Sequence, residues 1–387
     1  MRFIHTADLH LKAGDSEAAK RRLAVLRELC AQAKELDALV VAGDLFDSFP
    51  EAEDQRLREA VTAAFKLAAP KPVLLIPGNH ELLQGKGGHP LDGRYGFGEH
   101  VRLLSKTPAE SVELGGVLFC AVPFQDGVSG AEALRALPPK DGRPRVAILH
   151  GTALDRPNLA MYAAGQDDPE AGGTMLFSDA SLEEAGLAYA AFGHIHKRDE
   201  WQLPKGGRAS YPGSPDMIST SEEEERSFNL VALEDGRVHV GKTALKSGTC
   251  AKRRTLWSLP GQEDKLGREA AAFIASVPAQ ACPVLYIRGM GGENKLREVE
   301  ARISREPRSP APIVKLRAKL LGVGESSQPG IVSDFLKIMT EKLGSAKGKE
   351  AVLLVRAARL GWGALSGEMK LKEFAAEAET EGIDETA

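Results

Sequence analysis

The sequence predicts a layered α/β protein, followed by a small second α/β domain and C-terminal helices. Three observations predict it. Short continuous apolar runs alternate with helix-spaced segments over about the first 200 residues. Those apolar runs end in Asp, Asn or His, often beside glycine. Further on, the strand-and-helix pattern repeats on a smaller scale, then gives way to proline breaks and two amphipathic stretches.

The elements follow in order. Arg2–Thr6 reads as a short strand. Ser16–Leu36 has helical spacing, with Ala19, Leu23, Leu26 and Leu29 near one face. Ala38–Ala42 is an unbroken apolar run, as expected of a strand covered on both faces. Glu53–Leu67 reads as a helix. Val73–Ile76, Val117–Val122, Val146–Leu149 and Leu187–Phe192 read as further buried strands, some of them antiparallel. Trp201–Leu245 reads as short strands and turns, with a hairpin around Asp235-Gly236. This closes a first domain at residues 1–248. Residues 249–306 read as a small α/β unit: strand Arg254–Leu259, helix Glu263–Ser276, strand Pro283–Arg288 and helix Asn294–Ile303. Pro307–Pro312 opens a linker over 307–328, and Gln328–Gly330 is a second breaker. Residues 329–365 carry a helix pair, with Ile331, Val332, Phe335, Leu336, Met339 and Leu343 as one apolar stripe and Ala351–Leu360 as another. Residues 366–387 are an acidic tail expected to be mobile.

Composition narrows the function classes. With 387 residues, 43% hydrophobic and 27% charged, the chain reads as an ordinary soluble protein of two or three structural units. No apolar run approaches the roughly 18–20 residues of a membrane helix, and no charged-then-apolar leader opens the chain. Cys30, Cys120, Cys250 and Cys282 are far apart and form no C-x-x-C pair. They are expected to be reduced thiols in a cytoplasmic setting. The net charge is -4, but Gly241–Leu320 holds sixteen Lys/Arg against seven Asp/Glu. That excess makes a phosphate-binding surface one reading of the region and a solvated face the other.

The residues just past each strand carry the chemistry. Thr6 leads into Asp8 and His10, and Ala42 into Gly43, Asp44 and Asp47. Ile76 leads into Gly78, Asn79 and His80, Leu149 into His150-Gly151, and Phe192 into Gly193, His194 and His196. In open α/β sheets, ligands bind outside the carboxyl ends of the strands. On an extended backbone, residues i and i+2 share a face, so Asp8 and His10 are expected to aim at one ion from a strand end. Mixed imidazole and carboxylate donors suit Mn, Fe or Zn better than Mg or Ca alone. Seven donors (Asp8, His10, Asp44, Asn79, His150, His194 and His196) exceed the needs of one ion and suit two sharing a carboxylate. No nucleophile elbow, P-loop or Rossmann fingerprint competes, and the glycine-rich Gly85–Gly88 is a plain loop. His5 reads as structural and His89 and His100 as surface histidines. Arg94, Tyr95 and Phe97 read as loop residues, with burial of the two rings favoured over stacking on bases.

D-x-H, G-D-x-x-D, G-N-H-E, a lone His-Gly and G-H-x-H, in this order, resemble the calcineurin-like metallophosphoesterases over about residues 1–215. The resemblance implies a layered β-sandwich flanked by helices, a small α/β capping domain and C-terminal helices. It implies one ion on Asp8, His10 and His196, a second on Asn79, His150 and His194, and Asp44 bridging them. His80 would be the catalytic imidazole and Asp47 would orient it. HTADLHL, GDLFD, PGNHE and YPGSP (Tyr211–Pro215) further resemble the SbcD-type nucleases. These imply two divalent ions, Mn2+, and DNA as substrate in double-strand-break repair. They also imply a homodimer, basic residues 249–306 on DNA phosphates, and residues 329–365 docked on an SbcC-type coiled-coil ATPase. The chain departs from that pattern at Leu9, often Trp, at Lys12, often Gly, and at Glu81, often Asp. Two alternatives stay open: a small-molecule or cyclic-nucleotide phosphodiesterase of the same fold, and a non-catalytic scaffold. Protein phosphatases extend G-D-x-x-D with Arg-Gly, and this chain has Ser48-Phe49 there.

Overall fold

The computed structural model describes residues 1–82, 96–156, 158, 174–258, 262–321, 331–346 and 349–365. Gly85–Gly88, His89, Arg94, Tyr95, residues 322–328 of the expected linker, the Gln328–Gly330 breaker and the acidic tail lie outside the described residues. The chain forms two compact units, Met1–Cys250 and Ala251–Ala387.

The first unit runs β1 (Arg2–Thr6), α1 (Glu17–Ala33), β2 (Ala38–Ala42), α2 (Phe49–Glu53), α3 (Gln55–Phe65), β3 (Val73–Ile76), β4 (Val101–Leu103), β5 (Glu110–Leu114) and β6 (Val117–Val122). It continues α4 (Gly130–Arg135), β7 (Arg145–His150), β8 (Thr152–Ala153), β9 (Leu176–Phe177), α5 (Asp179–Glu184), β10 (Tyr189–Gly193), β11 (Asp199–Gln202), β12 (Arg208–Tyr211), β13 (Ser227–Glu234) and β14 (Arg237–Ala244). Two six-stranded sheets result, ordered β14-β13-β1-β2-β3-β4 and β11-β12-β10-β7-β6-β5. Strands β1 to β4 are parallel, as are β6, β7, β10 and β12, while β13, β14, β5 and β11 add antiparallel edges.

Alternation of side chains along each strand explains the layers. Phe3, Val40 and Ile76 from the first sheet meet Phe119, Ile148 and Tyr189 from the second. Ile4, Leu39, Val41 and Leu75 face the other way, onto Val25, Leu26 and Leu29 of α1 and Val61 and Phe65 of α3. Ala147, Leu149 and Phe192 face Ala133, Leu134 and Leu182 of α4 and α5. Strands buried on both faces therefore read as unbroken apolar runs. Each large side chain sequestered in this way stabilises the fold by about 1.5–3 kcal/mol.

Local chemistry sets the boundaries. Ser16 caps α1 by accepting the Ala19 N–H at 3.1 Å. The helix expected over Glu53–Leu67 breaks at Asp54, whose carboxylate caps α3 at the Leu57 N–H, 2.7 Å away. The expected hairpin forms between β13 and β14, with Asp235 (φ 50°) and Gly236 (φ 72°) both left-handed at its tip. The edge strands β4, β5 and β11 are too short or too polar to stand out in the sequence.

The second unit has β15 (Ala251–Ser258), α6 (Glu263–Ser276), β16 (Cys282–Gly292), α7 (Glu293–Ser304), β17 (Ile313–Leu316), β18 (Lys319–Leu321), α8 (Ile331–Ser345) and α9 (Lys349–Leu365). Strand β16 pairs in parallel with β15, β17 and β18. Strands β17 and β18 thus occupy part of the segment expected to be linker; their brevity beside Pro310 and Pro312 hid them. Helices α6 and α7 cover the sheet through Leu266, Ile274, Leu296 and Val299. Leu336, Met339 and Leu343 of α8 and Val355, Ala358 and Trp362 of α9 cluster with Met290 of β16. Leu336, Met339 and Leu343 of the stripe expected to dock on a partner are therefore covered within their own unit, while the side chains of Ile331 and Val332 lie outside those described. Ile338 (52%) and Leu353 (63%) remain exposed. No disulfide forms among the described residues, and Cys30, Cys120 and Cys282 are buried. No described helix is long and apolar enough to cross a membrane.

Candidate metal centre

The carboxyl ends of β1, β2 and β3 in one sheet meet those of β7 and β10 in the other. Each strand hands over to a loop whose backbone turns abruptly. Asp8 (φ 54°), His10 (φ 46°), Asp44 (φ 50°) and His194 (φ 100°) all occupy the left-handed region. That conformation is uncommon for residues other than glycine and costs roughly 1–2 kcal/mol apiece. Asp8 and His10 consequently do not project from an extended strand end, as their spacing suggested. Strand β1 stops at Thr6, and two left-handed turns bring the side chains together instead. The Asp8 N–H donates to Gly43 O (3.1 Å), the His10 N–H to Asp44 O (3.1 Å) and the Leu11 N–H to Leu45 O (2.9 Å), fastening the first loop to the second. Glycine is required where these loops touch. A Cβ on Gly43 (φ 88°) would overlap the His150 ring, and one on Gly78 would overlap the Asp44 carboxylate.

All seven donor residues named from the sequence come together. The donor atoms of Asp8, His10 and His196 lie within 4.8 Å of one another, as do those of Asp44, His150 and His194, and those of His10, Asp44 and His80. Oδ2 of Asp44 is 3.8 Å from His10 Nε2 and 3.2 Å from His150 Nε2, between the two ends of the centre. Oδ1 of Asn79 is 2.8 Å from His150 Nε2 and 3.1 Å from His194 Nδ1.

Hydrogen bonding tests whether the residues fit cations. His150 Nδ1 donates to Ala42 O at 2.9 Å, so in the neutral ring Nε2 carries the lone pair. That lone pair faces Asn79 Oδ1 and Asp44 Oδ2. His196 Nδ1 lies 3.3 Å from Glu222 Oε1, which leaves its Nε2 pointing at His10 Nε2, 3.0 Å away. Asp8 Oδ2 is buried with no protein partner. Buried acceptors turned toward one another are costly unless a cation joins them. The donor set fits two divalent ions.

Proton affinities record the same crowding. Burial pushes the Asp8 carboxyl up to about 6. Burial opposes charge on His150, but the adjacent Asp44 more than reverses this and pushes the imidazole up to about 9. Burial, reinforced by His150, pushes His194 down to about 3. Burial also opposes charge on Asp44, yet the imidazoles of His150 and His80 hold it well below the usual carboxylate range.

The residues around the donors fall in two groups. His80 donates from Nδ1 to the backbone oxygen of Asp47 (2.8 Å), and its N–H reaches Asp44 Oδ1 (3.1 Å). Asp47 thus contacts His80 through its carbonyl, and the carboxylate expected to do so is turned to Lys12 (2.8 Å) and Arg22 (3.3 Å). Two carboxylates were assigned no role from the sequence. Glu81 is buried and accepts the Phe46 and Gly78 N–H groups at 2.9 and 2.8 Å, tying the second loop to the third. Burial, then Asp44, pushes Glu81 up to about 7. Glu222 is buried, accepts from Ser214 and Ile218 at 3.0 Å, and faces His196. Within the run Glu222–Glu225 nothing local marks the inward member; its position in YPGSP-to-β13 was the only available clue. His5 donates and accepts within the core, at Tyr189 Oη (2.8 Å) and Phe192 O (3.1 Å). His100 reaches Phe65 O at 2.9 Å, and Phe97 is buried.

The profile of the calcineurin-like phosphoesterases matches residues 1–198, half of the chain. The chain belongs to this family. Among curated proteins it resembles the SbcD component of the nuclease SbcCD of Rhodobacter capsulatus, 32% identical over 57% of this chain and 64% of that one. It resembles the DNA double-strand break repair protein Mre11 of Methanopyrus kandleri at 26% identity, over 61% of this chain and 55% of that one. It also resembles the uncharacterized metallophosphoesterase YhaO of Bacillus subtilis at 24% identity, over 61% and 58%. The chain thus spans a little over half to just under two thirds of these relatives. The calcineurin-like phosphoesterase match ends at Arg198, two residues beyond His196, so it contains every donor and stops short of Glu222.

Proposed function

We propose that the chain is a two-metal phosphodiesterase that cleaves DNA, as a duplex 3'-5' exonuclease and a single-strand and hairpin endonuclease. Convergence of seven donors into two groups around Asp44 carries this reading. Asp8, His10 and His196 would hold one ion, Asn79, His150 and His194 the other, and Asp44 both. Two Mn2+ ions so held would activate a water and neutralise charge on the phosphate oxygens. The remaining work falls to the chain. Asp47 O fixes the His80 ring by its Nδ1 proton, which presents Nε2 as the working nitrogen. A protonated Nε2 can hydrogen-bond the leaving oxygen and pass it the proton. Glu222 holds the proton on His196 Nδ1 and keeps Nε2 turned inward.

DNA as substrate draws support from the SbcD and Mre11 relatives and from the Lys/Arg excess of Gly241–Leu320. The same relatives support action in double-strand-break repair, as a homodimer beside an SbcC-type ATPase docked on residues 329–365. The exposed Ile338 and Leu353 leave apolar surface on that helix pair for such a partner.

The test is cleavage of end-labelled linear duplex in Mn2+, Mg2+ or EDTA, with His80→Ala and a small chromogenic diester run in parallel. Mn2+-dependent shortening that drops at least about 100-fold in His80→Ala is the expected result. Turnover of the diester with DNA untouched, even when an SbcC-type ATPase and ATP are added, would replace this reading with a small-molecule phosphodiesterase.

A further inference from the structure

Lys12 stands two residues beyond the donor His10. Its ammonium lies 2.8 Å from Asp47 Oδ2, and its side chain is 42% exposed. Asp47 does not need it. Arg22, nearly buried, reaches Asp47 Oδ1 at 3.3 Å and also donates to the backbone oxygen of His10. The same Oδ1 lies 3.6 Å from His10 Nδ1. Asp47 therefore has a fixed cation on its inner side, and Lys12 is a second, movable cation on its outer side. A lysine is suited to that place: its flexible four-carbon stem carries a compact charge that can change partners. One carboxylate separates this ammonium from a metal-donor ring, and the backbone of that same residue holds His80.

We propose that Lys12 is a substrate-binding residue that leaves Asp47 for a phosphate flanking the scissile one. This rests on the DNA reading above and deepens it. A small diester carries one phosphate, which the centre itself would engage. A polymer brings further phosphates to the rim, and there Lys12 is the exposed cation beside Asp47. The contact is to backbone phosphate, so it adds affinity without sequence preference. The charge released by Asp47 stays matched by Arg22, so the move strands no buried carboxylate.

The experiment uses the 387-residue chain and compares Lys12→Ala and Lys12→Arg with the unaltered protein. Steady-state cleavage of single-stranded DNA and of a small chromogenic diester is measured in Mn2+ across a salt series. For Lys12→Ala, KM for DNA is expected to rise about 3–10-fold. The slope of log kcat/KM for DNA against log salt should shrink by about 0.7–1. The effect on DNA should exceed the effect on the diester several-fold, and Lys12→Arg should recover most of it. Equal losses on both substrates would overturn the proposal and make Lys12 a support for Asp47 and His80. An unchanged salt slope would overturn it as well. Diester turnover without DNA cleavage by the unaltered protein, even with an SbcC-type ATPase and ATP added, would instead remove the DNA reading, and the role of Lys12 with it.

Discussion

Glu222 Oε1 lies 3.3 Å from Nδ1 of His196, and both side chains are nearly shut off from solvent. The same carboxylate accepts from Ser214 Oγ and the Ile218 N–H and pairs with Arg226. A fixed anion behind a metal-donor imidazole sets its tautomer and raises its basicity. Glu222→Gln keeps the shape and removes the charge. Metal titration followed by calorimetry should show the affinity of one of the two sites reduced about 10–100-fold, while the other site keeps its own. Equal weakening of both sites would show that Glu222 acts on the whole centre rather than through His196.

Asp44 should behave differently, because its Oδ2 lies between His10 and His150. Asp44→Asn is expected to lower the bound metal from about two ions to one or none. Elemental analysis of protein equilibrated with Mn2+ and passed through a desalting column reads this directly. Two ions retained at undiminished affinity would rule out a bridging role.

His5 provides a pH dependence separate from the donors. Burial pushes its imidazole from 6.5 down to about 3. A depressed value means that the unfolded chain takes up the proton first. His5 therefore costs nothing above about pH 6.5, and stability is lost progressively as pH falls from 6.5 toward 3. The loss is on the order of 5 kcal/mol over the whole range. Gln can still donate to Phe192 O and accept from Tyr189 Oη. His5→Gln should consequently lose less stability between pH 7 and pH 4.5 than the unaltered protein. Urea unfolding at the two pH values measures the difference, and parallel losses would contradict the assignment.

Trp362 tests the second unit. It is 1% exposed and packs with Met290, Leu336 and Val355. Trp362→Ala should destabilise that unit by about 3–5 kcal/mol, seen as faster amide exchange in β16, α8 and α9. Bound metal should be unaffected, since every donor belongs to the first unit. A variant as stable as the parent would show that the terminal helices are not packed on their own sheet.

The layers and the donor residues were legible because both are written locally. An unbroken run such as Ala38–Ala42 carries its double burial in its composition, and five strands ending in Asp, Asn or His announce one shared rim. Helix Glu263–Ser276 has the bounds its spacing suggests. Tertiary structure decided whatever depends on residues far apart in the chain. Asp8 and His10 look like strand positions in isolation, yet their hydrogen bonds to Gly43 O and Asp44 O hold them left-handed. Asp47 offers His80 a carbonyl in place of a carboxylate because Arg22 and Lys12 claim the charge. Glu222 becomes a partner of His196 only when the segment after β12 returns to the rim. Strands β17 and β18 exist because β16 supplies their hydrogen bonds. Sequence by itself determined which side chains could bind a metal, since donor chemistry belongs to each residue. Which atoms meet, and which charge faces which, depends on distances that only the folded chain sets.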